Sequence, residues 1–167
     1  RLQSGTAKFH PKQNNLSEVV RESVLFLNSS IMNKHLNIEY NIPDDCFVEF
    51  DYNMISVVLR NLISNAIKFS YPGGLIEFDI KSYHTDIELS IKDHGIGIKE
   101  ELLEKLFKIE DTFSTYGTEN ETGSGLGLIL CNEIIKKHNG RIEVESFEKK
   151  GSTFSIIFKK NFSVDEG

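Results

Sequence analysis

Three groups of residues in this chain have the types and spacing to handle a charged, planar ligand. The first is Asn61, Asn65 and Lys68, four and three residues apart. On a helix these positions form one polar stripe. An asparagine amide oxygen is a hard, neutral ligand that suits Mg2+, which usually keeps several waters and takes substrate phosphates for the rest. Lys68 can meet a phosphate as a point charge. An ordinary solvated helix face has the same pattern. The second group is Asp93-His94-Gly95-Ile96-Gly97-Ile98. Two glycines two apart let the backbone turn sharply and approach a flat ligand. Asp93 can accept a hydrogen bond from an exocyclic amine, and Ile98 can pack on a ring. A plain Asp-x-Gly turn is the alternative. The third is Gly123-Ser124-Gly125-Leu126-Gly127-Leu128. A glycine-rich loop entering a helix presents free N–H groups to phosphate, although it also serves as a hinge. It is neither a Rossmann fingerprint, because Leu stands at position 128, nor a P-loop, because the chain has no Gly-Lys pair.

The elements that must position these groups read clearly in places. Residues 52–70 form a helix, with Ile55, Val58, Leu59, Leu62, Ile63, Ala66 and Phe69 on one broad apolar face. Asp51 can cap its start, and Pro72-Gly73-Gly74 ends it. Residues 16–34 read as a single amphipathic helix, after a polar and irregular stretch over 1–15. Strands are expected at 36–42, 46–50, 75–83, 87–92, 141–146 and 152–159, the pair around His84-Thr85-Asp86 as a hairpin. Short helices are expected over 99–107 and 126–138, with a loop of lid length over 108–124. Strands alternating with helices in this way predict a two-layer α/β sandwich, a mixed sheet with helices on one face.

Composition bounds the rest. The chain has 167 residues, one domain's worth, and a net charge of −6. An acidic chain attracts nucleic-acid backbones poorly, so no nucleic-acid partner is expected. Cys46 and Cys131 lack metal-ligand or disulfide-framework spacing, which points to a reducing compartment. No apolar stretch approaches the roughly 18 residues that span a bilayer. The five histidines show no metal-ligand spacing, and His94 can simply face water.

The three groups in this order resemble a known family. Asn61-Leu62-Ile63-Ser64-Asn65-Ala66-Ile67-Lys68-Phe69-Ser70 resembles the N box of sensor histidine kinases, and Asp93 to Ile98 is similar to their G1 box. Phe107 with Phe113 resembles the F box, although six residues is wider than the usual spacing. Gly123 to Leu128 resembles the G2 box, and Gly151-Ser152-Thr153-Phe154 the closing strand. The resemblance covers residues 15–160 and implies the Bergerat-type ATP-binding fold of the GHKL superfamily, with a mostly antiparallel sheet.

The resemblance also implies roles. Asn65 would be the Mg2+ ligand, Asn61 would support that site, and Lys68 would contact phosphate. Asp93 would accept from the adenine amino group, with Thr153 helping through water. Gly95 and Gly97 would shape the base slot, with Ile98, Phe69 and Phe107 packing at or near it. Gly123, Ser124, Gly125, Leu126, Gly127 and Leu128 would wrap the phosphates as the lid closes. The expected activity is transfer of the γ-phosphoryl group of ATP to a histidine on a dimerisation domain outside this sequence. Hydrolysing relatives carry a Glu where this chain has Asn61, and an amide cannot take a proton from water. A GHKL-type ATPase, a serine kinase of the anti-sigma type and a non-catalytic nucleotide-binding module are the alternatives. Residues 1–15 are expected to be the end of the dimerisation hairpin and a linker, 16–160 the catalytic domain and 161–167 a tail. The expected partners are that hairpin domain and a cognate response regulator. The fragment should be a monomer and a cytoplasmic part of a membrane-bound parent.

Overall fold

A computed structural model describes residues 8–107, 115–116, 122–123 and 126–160, with side chains left aside at 115–116, 122–123 and 126. Five strands form one sheet in the order β2 (Asn37–Asn41), β4 (Leu75–Ser82), β5 (Asp86–Asp93), β9 (Gly151–Lys159), β8 (Arg141–Phe147). Only the β2–β4 pair is parallel; the other three are antiparallel. The two-layer mixed sheet expected from the sequence is the one observed.

Side-chain alternation decides which face is covered. Ile76 and Phe78 on β4, Ile87, Leu89 and Ile91 on β5, and Phe154, Ile156 and Phe158 on β9 are all buried. The register pairs Ile91 with Phe154, Leu89 with Ile156 and Ile87 with Phe158, so one apolar face runs across the central strands. α3 (Tyr52–Phe69) packs on β5 and β9 and α5 (Leu126–Lys137) on β8, while α1 (Leu16–Phe26) packs against α3. The opposite face carries Glu77, Asp79, Glu88 and Lys92, none of them buried.

α3 is the central helix. Its buried residues are the apolar set predicted, together with Met54, Ser56 and Ile67, whereas Phe69 is only half-buried. The Asp51 carboxylate accepts from the Met54 N–H at 3.0 Å, which satisfies one of the first-turn donors. At the other end Ser70 turns extended ahead of Pro72. The last carbonyls are met from another element. Lys34, 3% exposed, donates from Nζ to the Ile67 and Lys68 carbonyls at 2.8 and 2.9 Å. A cation there also opposes the negative end of the helix dipole. Lys34→Met is therefore expected to lower unfolding stability by about 2 kcal/mol in urea titrations, because it leaves those carbonyls without their charged donor.

Four expectations need correction. The helix expected over 16–34 is two helices, α1 and α2 (Asn28–Asn33), hinged at Leu27, whose φ and ψ are −99° and 13°. Asn28, Ser29 and Ser30 compete for backbone hydrogen bonds and weaken helix propagation. The second helix buries Ile31, while Leu25 and Phe26 stay exposed. The stretch before residue 16 is not wholly irregular: β1 (Lys12–Asn15) pairs antiparallel with β3 (Phe47–Phe50). The helix expected over 99–107 shortens to α4 (Glu100–Leu103). Two further short strands, β6 (Thr115–Tyr116) and β7 (Thr122–Gly123), pair within the segment expected to be loop. Among the described residues no helix is long and apolar enough to cross a membrane.

Candidate functional site

The site is assembled at the C-terminal half of α3, where the turn after β5 meets the β8–β9 hairpin. Asp93 is the last residue of β5 and is 3% exposed. Its Oδ1 accepts the Gly95 N–H at 3.0 Å, and the carboxylate also accepts the backbone N–H of Ser152. Burial pushes its pKa up to about 6, with those two hydrogen bonds and His94 pulling the other way. The carboxylate is thus desolvated but held, as suits a fixed acceptor.

The turn that follows is gripped from both sides. Ile96 donates its N–H to the Phe69 carbonyl at 3.1 Å, and Lys149 donates to the Ile96 carbonyl at 2.7 Å. A Cβ on Gly95 would lie 1.8 Å from the Phe69 oxygen. Gly97, at φ +68°, meets the Phe147 carbonyl in the same way, so neither position accepts a side chain. Gly95→Ala is expected to lower stability by about 3 kcal/mol, seen as a lower melting midpoint, and to weaken nucleotide binding because Asp93 moves with the turn.

Asn61, Asn65, Lys68 and Phe69 are half-buried along one side of α3, and the Lys68 ammonium sits 4.7 Å from the Phe69 ring centre. Gly127, in the first turn of α5, faces this stripe: a Cβ there would lie 2.7 Å from Asn61 Oδ1. Glycine here lets α5 approach Asn61. Ile98 and Phe107 are partly buried against the core.

Other predicted residues lie elsewhere. The Leu128 side chain is buried in the core. Thr153 pairs with Lys92, on the face of the sheet opposite Asp93. Its expected help to Asp93 is therefore corrected: the residue opposite Asp93 in the register is Ser152, 5% exposed. Counting back by twos from the inward-facing Phe158, Ile156 and Phe154 leads to Ser152, so the signal was in the sequence. Gly123 pairs with Thr115, whereas Ser124, Gly125, Phe113 and the Leu126 side chain lie outside the described residues. His94 is directed away, with Nε2 2.7 Å from Glu77 on β4. An open groove of about 610 Å3 near the start of α3, lined by His10, Lys12, Asp51 and Met54 among others, shares none of these residues.

A buried carboxylate at a strand end, a glycine-walled turn and an amide-bearing helix are thus brought together. Residues 50–161 match the family model of histidine kinase-, DNA gyrase B- and HSP90-like ATPases. The chain belongs to this family. It is 36% identical over 150 residues to the sensor histidine kinase WalK of Bacillus subtilis (strain 168), covering 86% of this chain and 24% of that protein. Among solved structures, the nucleotide-free catalytic domain of histidine kinase ThkA superposes with a TM-score of 0.77 at 31% identity, covering 92% of this chain and 99% of that one. ThkA in complex with the response regulator protein TrrA superposes at 0.76 with 28% identity, covering 92% of this chain and 42% of that one. The chain spans about a quarter of the length of WalK.

As a histidine kinase-, gyrase B- and HSP90-like ATPase domain, it is an ATP-binding domain. Its donors fit a metal brought in on phosphate. Among the described residues no group of three or more His, Cys, Asp or Glu could hold a metal ion. The stripe instead offers the neutral oxygens of Asn61 and Asn65, which suit an ion already neutralised by phosphate oxygens.

Proposed function

We propose that this domain binds Mg-ATP and transfers its γ-phosphoryl group to a histidine on the dimerisation and phosphoacceptor domain of the same protein, which then passes it to a cognate response regulator. The reading rests above all on Asp93: a buried carboxylate pinned by two backbone N–H groups, in a turn hydrogen-bonded to the end of the asparagine-bearing helix. Asp93 accepts from the exocyclic amine of adenine. Ile98, Phe69 and Phe107 pack at or near the base, and Gly95 and Gly97 keep the slot narrow. Asn65, supported by Asn61, holds Mg2+, and Lys68 meets phosphate. Residues 123–128 close over the triphosphate through their backbone N–H groups. Bound Mg2+ supplies charge neutralisation on the phosphate oxygens.

The domain's own residues then orient the γ-phosphorus and exclude water. A neutral imidazole has an unperturbed pKa near 6.5 and attacks at pH 7 without a base. One of its nitrogens bonds to the γ-phosphorus as the bond to the β–γ bridging oxygen breaks, and ADP leaves. Asn61 cannot act as a base toward water, so hydrolysis stays slow. Residues 1–15 would be the end of the hairpin and its linker, residues 16–160 the catalytic domain and 161–167 a tail. The isolated domain would be a monomer, and its parent membrane-bound with this part in the cytoplasm. To test the activity, the domain is incubated with γ-labelled ATP and a separately made hairpin of the parent. Acid-labile label on the hairpin is the expected result. Phosphate release without label would show an ATPase, and binding with neither would show a nucleotide-binding module.

A further inference from the structure

Ser146 is a buried β8 side chain, 8% exposed, beside the turn after β5. Its hydroxyl has three neighbours. The Ile98 N–H reaches Oγ at 2.8 Å, the Gly151 carbonyl lies at 3.0 Å and the Ser152 hydroxyl at 2.7 Å. A serine hydroxyl has one proton and two lone pairs. The Gly151 carbonyl can only accept and the Ile98 N–H can only donate. With all three contacts satisfied, the Ser146 proton goes to Gly151. One lone pair then takes the Ile98 N–H, and the other takes the proton of Ser152.

That assignment determines what Ser152 can do. Its hydroxyl proton is committed to Ser146, away from Asp93, while its backbone N–H donates to the Asp93 carboxylate. Toward the slot the Ser152 oxygen therefore offers only acceptor capacity. Asp93 keeps its remaining lone pairs free of a competing hydroxyl. A slot that offers acceptors fits a purine with an amino group at C6. It opposes a 6-oxo purine, whose oxygen would meet lone pairs.

We infer that Ser146 is a positioning residue that sets the choice of purine: its single hydroxyl fixes Ile98 on one side of the slot and turns Ser152 into an acceptor on the other. The inference rests on the adenine-binding reading of Asp93. In Ser146→Ala the Ile98 N–H loses its partner, and the freed Ser152 hydroxyl can rotate to donate to Asp93 or to a 6-oxo group. Calorimetry with ATP and with inosine triphosphate separates this from a general loss of structure. Ser146→Ala is expected to bind ATP about tenfold more weakly. Its affinity for inosine triphosphate should hold or rise, so the preference between the two falls. Ser146→Thr keeps the hydroxyl and should keep the wild-type preference. A folded Ser146→Ala with the wild-type ratio, or a folded Ser146→Thr that loses it, would overturn the inference. Should the wild-type domain itself fail to bind ATP, the nucleotide reading falls first.

Discussion

Asp93→Asn is expected to weaken ATP binding by roughly 100-fold in calorimetry while leaving a cooperatively melting fold. The carboxylate is the one charged acceptor placed at the strand end, and a hydrogen bond to a charged group is worth more than one between neutral groups. An amide in its place can keep the Gly95 N–H, but its amino group confronts the Ser152 N–H or the base amine with a second donor. The fold should tolerate the change for an electrostatic reason. Burial raises the Asp93 pKa from its ordinary 3.8 to about 6, so at pH 7 the folded chain holds an anion that it would rather protonate. Between pH 3.8 and about 6 the folded state binds more protons than the unfolded state. Stability therefore falls as pH rises through that window, by about 3 kcal/mol in all, and is level above it.

Ligand binding runs the other way, because the base amine needs the ionised acceptor. Wild-type ATP affinity should drop as pH falls below about 6, in the range where the Asp93 contribution to stability improves. In Asp93→Asn both dependences on this group vanish, and the melting midpoint at pH 7.5 should lie at or above that of wild type. Equal ATP affinity in the two proteins, or a wild-type affinity indifferent to pH between 5 and 7.5, would show that Asp93 is not the acceptor.

What could be read from the chain was what depends on neighbours in sequence. α3 announces itself because its apolar face repeats at the helical period and Asp51 and Pro72 bracket it. The β4–β5 hairpin and the glycine turn after it are local in the same sense. The parts that could not be read depend on partners far along the chain. β1 is Lys-Gln-Asn-Asn, with no alternation to betray it, and it is a strand only because β3 supplies the ladder. Lys34 looks like any surface lysine until its ammonium is found under carbonyls 33 and 34 residues away. Ser146 carries no motif, and its importance comes from three hydrogen bonds whose partners meet only when the β8–β9 hairpin closes on the turn. Thr153 is a different case. The family resemblance points to Thr153, although the period-two rule, applied to Phe154, Ile156 and Phe158, puts Ser152 on the side of Asp93. Where motif and strand period disagree about which of two adjacent residues faces a site, the period carries the physical constraint.

The second large effect is expected at Asn65. Asn65→Ala should reduce phosphoryl transfer to the parent's hairpin by about 100- to 1000-fold, with a smaller loss in ATP affinity. The asymmetry follows from what the amide does. On the proposed reading, affinity would come mainly from the base slot around Asp93 and from backbone donors along the phosphates, and Ala at 65 would leave these untouched. Position 65 lies one turn beyond Asn61 and one turn before Lys68 on α3, half-buried, in the middle of the stripe. With no cluster of carboxylates or histidines among the described residues to take over, losing this oxygen would leave the proposed metal–phosphate geometry without its central protein ligand. Chelating the metal gives a control. Without Mg2+ the variant and the wild type should bind ATP equally, since the removed group acts only through the ion. If the two still differed in the chelator, Asn65 would be touching the nucleotide directly. If transfer survived the substitution with Mg2+ present, the stripe on α3 would be a solvated helix face after all.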